Sequence, residues 1–289
     1  MKIGRYWVRE ETAVDDADGR QHTAAGWGWS ATNLDEARQR AKATAERIAR
    51  WLIDVNAKAP ATSQQYQYLL DRPPREEIIQ EFRDVEGETA AFISRNRYGS
   101  LVLNCRDMMF IDVDFPKPSF WNQMLASLLG SGSSSKKHEA AAIERVRAWC
   151  DAHPDVGVRL YQTAAGLRLV ITDRPMEADG HETRRILEEM GSDPLYRRLC
   201  ENQQCFRARL SPKIWRIGVK SPRWQFPFAD KAAEASYRDW QARYDAAARD
   251  FATCRLLETF GPRRINENLA PLLELHDSLT RSDSDLPLA

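Results

Sequence analysis

The chain has 289 residues, 43% of them apolar, with 42 basic and 42 acidic side chains. That supplies one large core or two modest ones, and the balanced charge excludes a globally basic nucleic-acid binder while leaving room for a local patch. No stretch approaches the roughly 18 apolar residues of a membrane span.

The first residues run straight into charged sequence, so no secretory signal is expected. The five cysteines (105, 150, 200, 205 and 254) include no Cys-x-x-Cys pair. The expectation is a cytoplasmic protein with reduced thiols and no membrane partner.

In chain order, residues 3–9 and 22–29 read as two strands around a polar turn at Asp15–Gly19. Asn33 then caps a helix, with Glu36 as its capping partner. The apolar stripe of that helix is Leu34, Ala37, Ala41, Ala45, Ile48, Leu52 and Val55, at helical spacing. Such a face needs a cover, and the preceding hairpin is at hand. With the Pro/Ser/Gln stretch at 58–66, this forms an N-terminal α+β unit over residues 1–66.

A sheet core is expected over 67–229. Pro73 and Pro74 open a short predicted helix. Strands follow at Ala90–Ser94 and Ser100–Asn104, around the turn Arg95–Gly99, and then at Met108–Asp114, which Pro116 stops. Residues 130–137 read as a flexible loop, not a phosphate loop, because no Gly-Lys-Ser/Thr closes it. A helix at 139–152 leads to a hairpin of Val156–Thr163 and Leu167–Thr172, with Gly166 expected to give its turn backbone freedom.

Helical stretches from about 182 to 202 precede predicted strands at Cys205–Leu210 and Ile214–Val219. From residue 100 the order is strand, helix, strand, strand, helix, strand, so the predicted class is α+β with a ferredoxin-like split βαβ core. Residues 230–289 are expected as a C-terminal helical tail, helical over 230–260 and frayed over 281–289.

The sharpest chemical feature is the strand Met-Phe-Ile-Asp112-Val-Asp114. Residues i and i+2 of a strand share a face, so the two carboxylates project side by side. Paired acids repel unless a cation or a proton lies between them. Mg²⁺ or Mn²⁺ against phosphates would serve, as would a nearby arginine, and a solvated strand end remains open.

Arg168 follows the turn of the later hairpin and can reach either those carboxylates or a phosphate. Thr163 and the backbone N–H groups at Ala164–Gly166 offer further donors beside an ordinary hairpin role. Between Asn202 and Ala229 there is no acid, while Arg207, Arg209, Lys213, Arg216, Lys220 and Arg223 are cationic. Phe206, Trp215, Trp224, Phe226 and Phe228 interleave with them. Cations hold phosphates and rings stack on bases, so the mixture suits a nucleotide or a nucleic-acid strand, although terminal-strand aromatics also build cores.

Strand alternation puts Arg207 and Arg209 on one face. Arg95 and Arg97 lie in a polar turn that can flank the same surface. The histidines (22, 138, 153, 181 and 276) make no ligand or catalytic spacing and receive no role.

The Asp112-x-Asp114 strand followed by the hairpin Tyr-Gln-Thr163-Ala-Ala-Gly166-Leu-Arg168-Leu resembles the archaeo-eukaryotic primase superfamily over residues 90–220. The resemblance implies a metal-dependent nucleotidyltransferase with Asp112 and Asp114 as ligands for Mg²⁺ or Mn²⁺. Arg168 would stand at the position of a nucleotide-contacting histidine and grip a triphosphate. Two departures accompany it: the histidine is an arginine, and the strand that carries a third acid in that family reads Phe206-Arg-Ala-Arg-Leu. A catalytically weakened enzyme, or a non-catalytic module binding nucleotide or nucleic acid, is therefore also expected. The pattern is similar as well to that of a bacterial protein family from which no activity carries over.

Overall fold

The computed structural model describes residues 1–55, 72–115 and 133–289. Within them lie strands β1 (Tyr6–Asp15), β2 (Gln21–Ser30), β3 (Glu77–Arg83), β4 (Thr89–Arg95) and β5 (Leu101–Cys105). Strands β6 (Phe110–Asp114), β7 (Val158–Thr163), β8 (Gly166–Ile171), β9 (Phe206–Arg209) and β10 (Cys254–Phe260) follow. The helices are α1 (Leu34–Val55), α2 (Ser133–Ala152), α3 (His181–Glu189), α4 (Pro194–Gln203), α5 (Lys231–Ala248) and α6 (Ala270–Thr280). The fold is mixed α+β, with three antiparallel sheets among the described residues: β1-β2, β3-β4-β5-β9 and β10-β7-β8-β6.

The N-terminal hairpin covers α1, as the apolar stripe requires. Ala37, Ala41, Ala45 and Ala49 are fully buried, one turn apart, and the first three meet Gly26 and Gly28 of β2. A methyl added at Gly28 would sit 2.1 Å from the Ala37 carbonyl oxygen, so strand and helix backbones touch. Only glycine permits that approach. Asn33 Oδ1 accepts the Glu36 N–H at 2.8 Å. The Glu36 carboxylate does not complete a capping box; it accepts instead from Ser30 and Thr32. This unit is tied to the rest by Arg5, whose guanidinium forks onto Glu81 at 2.9 Å.

The larger core lies where β4, β5, β9 and the β10-β7-β8-β6 sheet turn apolar side chains toward each other and toward α2, α3 and α6. Phe110, Ile111, Leu160, Leu169, Phe206 and Leu273 are all buried there. Strand β8 lies between β6 and β7, which flank α2.

The ladder between β9 and β6 that a complete βαββαβ sheet needs does not form; β9 pairs on one edge with β5. Its other edge is bridged to β6 by a side chain. The Tyr196 hydroxyl donates to the Phe110 carbonyl at 3.0 Å and accepts the Arg207 N–H at 3.4 Å.

Several sequence expectations are corrected. Residues after Pro73 and Pro74 form strand β3, not a helix, since Ile78, Gln80 and Phe82 pair with β4. Ile214–Arg216 is one 3₁₀ turn, not part of a strand. The C-terminal region is not a helical tail. After α5 it supplies β10, an edge strand paired with β7, and α6, and the end is not frayed. Ala289 is buried and its N–H bonds the Ala252 carbonyl at 3.0 Å. Residues 133–137 of the expected loop belong to α2. Its first part, the 58–66 stretch and Pro116 fall outside the described residues. No helix among the described residues is long and apolar enough to cross a membrane.

Candidate functional site: a cationic cluster beside exposed aromatic rings

Register sets Asp112 of β6 directly opposite Arg168 of β8. The guanidinium forks onto the carboxylate, Nε to Oδ1 at 2.8 Å and Nη2 to Oδ2 at 3.1 Å. Of the three ways of satisfying the acid pair, an arginine is the one realised at Asp112.

Arg168 is only 1% exposed, whereas the Asp112 side chain keeps 42% of its surface. Burial raises the Asp112 pKa, but the Arg168 charge and hydrogen bonds outweigh it and leave it lowered. Burial opposes the Arg168 charge and Asp112 more than restores it, so its pKa is raised. Arg168 Nη1 also donates to the Arg209 carbonyl at 2.9 Å, joining β8 to β9. Locked and covered in this way, Arg168 is not placed to grip a triphosphate.

Behind Arg168 sits His276 of α6, fully buried, its Nε2 3.4 Å from Nη1 and its Nδ1 2.9 Å from Asp277. Asp277 also accepts from Tyr161 at 2.7 Å and Arg159 at 2.5 Å. This buried polar network was missed in the sequence, although Leu272, Leu273, His276 and Thr280 share one helical face and so mark His276 as inward-pointing.

Asp114 is exposed, on the same face as Asp112. Three cations gather around the pair. Arg209 is held below the usual arginine range, to about 10, first by burial and then by Arg168, with Asp112 opposing. Its Nε is buried without a hydrogen-bond partner. Lys213 is lowered by burial, Arg209 and Arg216, and both aspartates oppose the shift. Arg216 is lowered by burial and faces Asp114, which opposes. Burial is the largest cause at all three, and at Arg209 and Lys213 neighbouring cations lower the pKa further, so the positive charges there repel one another. An added anion would relieve that repulsion.

Beside the cations lie exposed rings. Asn96 Oδ1 accepts the N–H groups of Tyr98 and Ser100 at 2.9 and 3.1 Å, shaping a turn that presents Arg97 and Tyr98 outward. Tyr98 meets Trp215 edge to face, with centroids 5.9 Å apart. Trp215 is 58% exposed because its neighbour Ile214 anchors the 3₁₀ turn in a small core with Tyr237, Trp240 and Tyr244. Arg97 lies 4.6 Å over the Tyr98 ring and Lys213 Nζ 5.4 Å from the Trp215 ring.

Other candidate residues lie elsewhere. Arg207 is paired with Glu76 at 2.8 Å. Arg95 is 5% exposed and bound to Gly99 and Asp245. Thr163 Oγ1 turns into its own hairpin, accepting from Ala165 N–H at 3.4 Å. Gly166 is needed for packing and not for turn freedom, since a methyl there would lie 2.1 Å from the Val113 carbonyl oxygen. Phe206 belongs to the large core, and Trp224 and Phe228 pack on the small one.

Among the described residues no group of three or more His, Cys, Asp or Glu side chains is placed to hold a metal ion. With both Asp112 oxygens engaged by Arg168, the residues here do not fit a two-metal centre. Comparisons with protein-family models, curated proteins and solved structures find no match to this chain.

Proposed function

We propose that this protein is a non-catalytic module that binds nucleic acid or nucleotide through the surface formed by Arg97, Tyr98, Arg209, Lys213, Trp215 and Arg216. The observation that carries the reading is the exposed Tyr98–Trp215 pair set among cations that repel one another. Phosphates relieve the repulsion and bases stack on the rings. On this reading β6, α2, β7 and β8 are most of a ferredoxin-like core whose fourth strand, β9, is drawn into the neighbouring sheet, bringing Arg209 to the site.

The test is fluorescence anisotropy with a labelled oligonucleotide at low salt. Tyr98→Ala with Trp215→Ala is expected to weaken binding at least tenfold, since stacking contributes about 1–3 kcal/mol per base. Both rings are exposed, so the melting temperature should hardly move. Unchanged affinity in the double variant, or no binding by the wild type, sinks the reading.

A metal-dependent nucleotidyltransferase is the second reading, favoured by Asp114, exposed on the face of Asp112. It expects Mn²⁺ with a nucleoside triphosphate to raise the melting temperature of the wild type but not of Asp114→Ala. A wild type indifferent to both ligands removes it.

A further inference from the structure

A groove of about 420 Å³ opens beside the Tyr98 turn, lined by Arg97, Tyr98, Arg72, Arg75 and Trp7 among others. Arg72 also lines a second depression, about 300 Å³, at the N-terminal unit, with Trp27, Trp29, Arg40 and Arg47. The two hollows thus meet at one arginine.

The tryptophans are there because of the packing on their other side. Gly26 and Gly28 lie against α1, so alternation turns Trp27 and Trp29 to the opposite face of β2, where both stay partly exposed. Arginines cover their rings: Arg75 at 4.2 Å from Trp27 and Arg40 at 4.8 Å from Trp29. Strand β2 pairs only with β1 among the described residues.

The linings hold five arginines and one acid, Glu76, whose carboxylate is already held by Arg207. Arg40 has Glu36 as a partner, while among the described residues Arg75 makes no ion pair. In a chain of zero net charge this is strong segregation of positive charge. Paired rings beside arginines match a flexible polyanion with exposed base faces, which is a single strand and not a duplex.

We propose that single-stranded nucleic acid continues from the Tyr98–Trp215 surface along this groove and stacks further bases at Trp27 and Trp29, with Arg75 and Arg72 on its phosphates. The inference rests on the binding reading above and adds to it the strandedness and the path of the ligand.

The experiment compares labelled oligothymidylates of about 5 and about 20 nucleotides. Trp27→Ala with Arg75→Gln is expected to weaken the long strand roughly tenfold and leave the short one unchanged. Tyr98→Ala with Trp215→Ala should weaken both. Because Trp27→Ala can disturb the hairpin, Arg75→Glu alone is measured as well, and 5-bromouracil strands are photo-crosslinked to the wild type and mapped by mass spectrometry.

Crosslinks at Trp27 or Trp29 support the path. Their absence, or wild-type affinity of the long strand for the Arg75→Glu variant, overturns it while the binding reading stands. Equal affinity for a duplex of the same length overturns the single-strand assignment. If the wild type binds neither oligonucleotide, the underlying reading fails too.

Discussion

Arg207 and Arg209 stand two residues apart on one face of β9, and the fold gives them opposite surroundings. Arg207 donates to both oxygens of Glu76, itself held by Ser94 at 2.5 Å, in a closed polar pocket. Arg209 lies among Arg168, Lys213 and Arg216, with Nε unsatisfied. The first is a structural cation whose charge is already answered. The second makes no ion pair among the described residues and sits beside like charges, which an anionic ligand would offset.

The largest expected effect tests the closed half of this pair. Arg207→Ala leaves Glu76 with its side chain only 10% exposed and without its counter-charge. A loss of about 3–5 kcal/mol in urea unfolding is expected, with the affinity of the folded fraction for a short oligonucleotide unchanged. A loss below about 1 kcal/mol would mean that Arg207 is no more tied down than a surface arginine.

The open half should respond in the opposite sense. Arg209→Met removes repulsion while keeping an apolar stem, so thermal unfolding should show stabilisation of about 0.5–2 kcal/mol together with weaker oligonucleotide binding. Destabilisation would place Arg209 with Arg207 as a structural residue. Lys213→Ala and Arg216→Ala sharpen the contrast less dramatically: each should lower the slope of log affinity against log salt by about 1. Unchanged slopes would mean that neither cation meets a phosphate.

The smallest effect concerns the third arginine, Arg168, which Asp112 and His276 enclose. Burial, then Arg168, hold the His276 pKa below the usual 6.5 against Asp277. Between that lowered value and 6.5 the unfolded chain binds more protons than the folded one. This contribution to stability is therefore complete above 6.5 and lost as pH falls. Melting temperatures of His276→Gln should depend less on pH over that range than those of the wild type. Identical profiles would show that the histidine titrates freely.

Much of the local structure was legible because its signals are local. The helix stripe at 34–55, the hairpin spacings and the apolar strand ending in Asp112 and Asp114 all follow from periodicity and turn chemistry. The prolines at 73 and 74 misled because helix-start chemistry also suits the entry to an edge strand, and the pairing of β3 with β4 decides between them. Strand β10 was hidden behind a helical pattern, and its assignment depends on β7 offering a free edge 91 residues away, from Thr163 to Cys254.

The sequence by itself determined which side chains share a face: Asp112 with Asp114, Arg207 with Arg209, and Trp27 with Trp29. Two-residue alternation is a property of every extended chain and needs no partner. Only the tertiary structure decided which of those charges are neutralised. Glu76 reaches Arg207, and register brings Arg168 to Asp112, while no described acid reaches Arg209 closely enough to pair with it. Electrostatic pairing depends on distances across the chain, which no local pattern encodes.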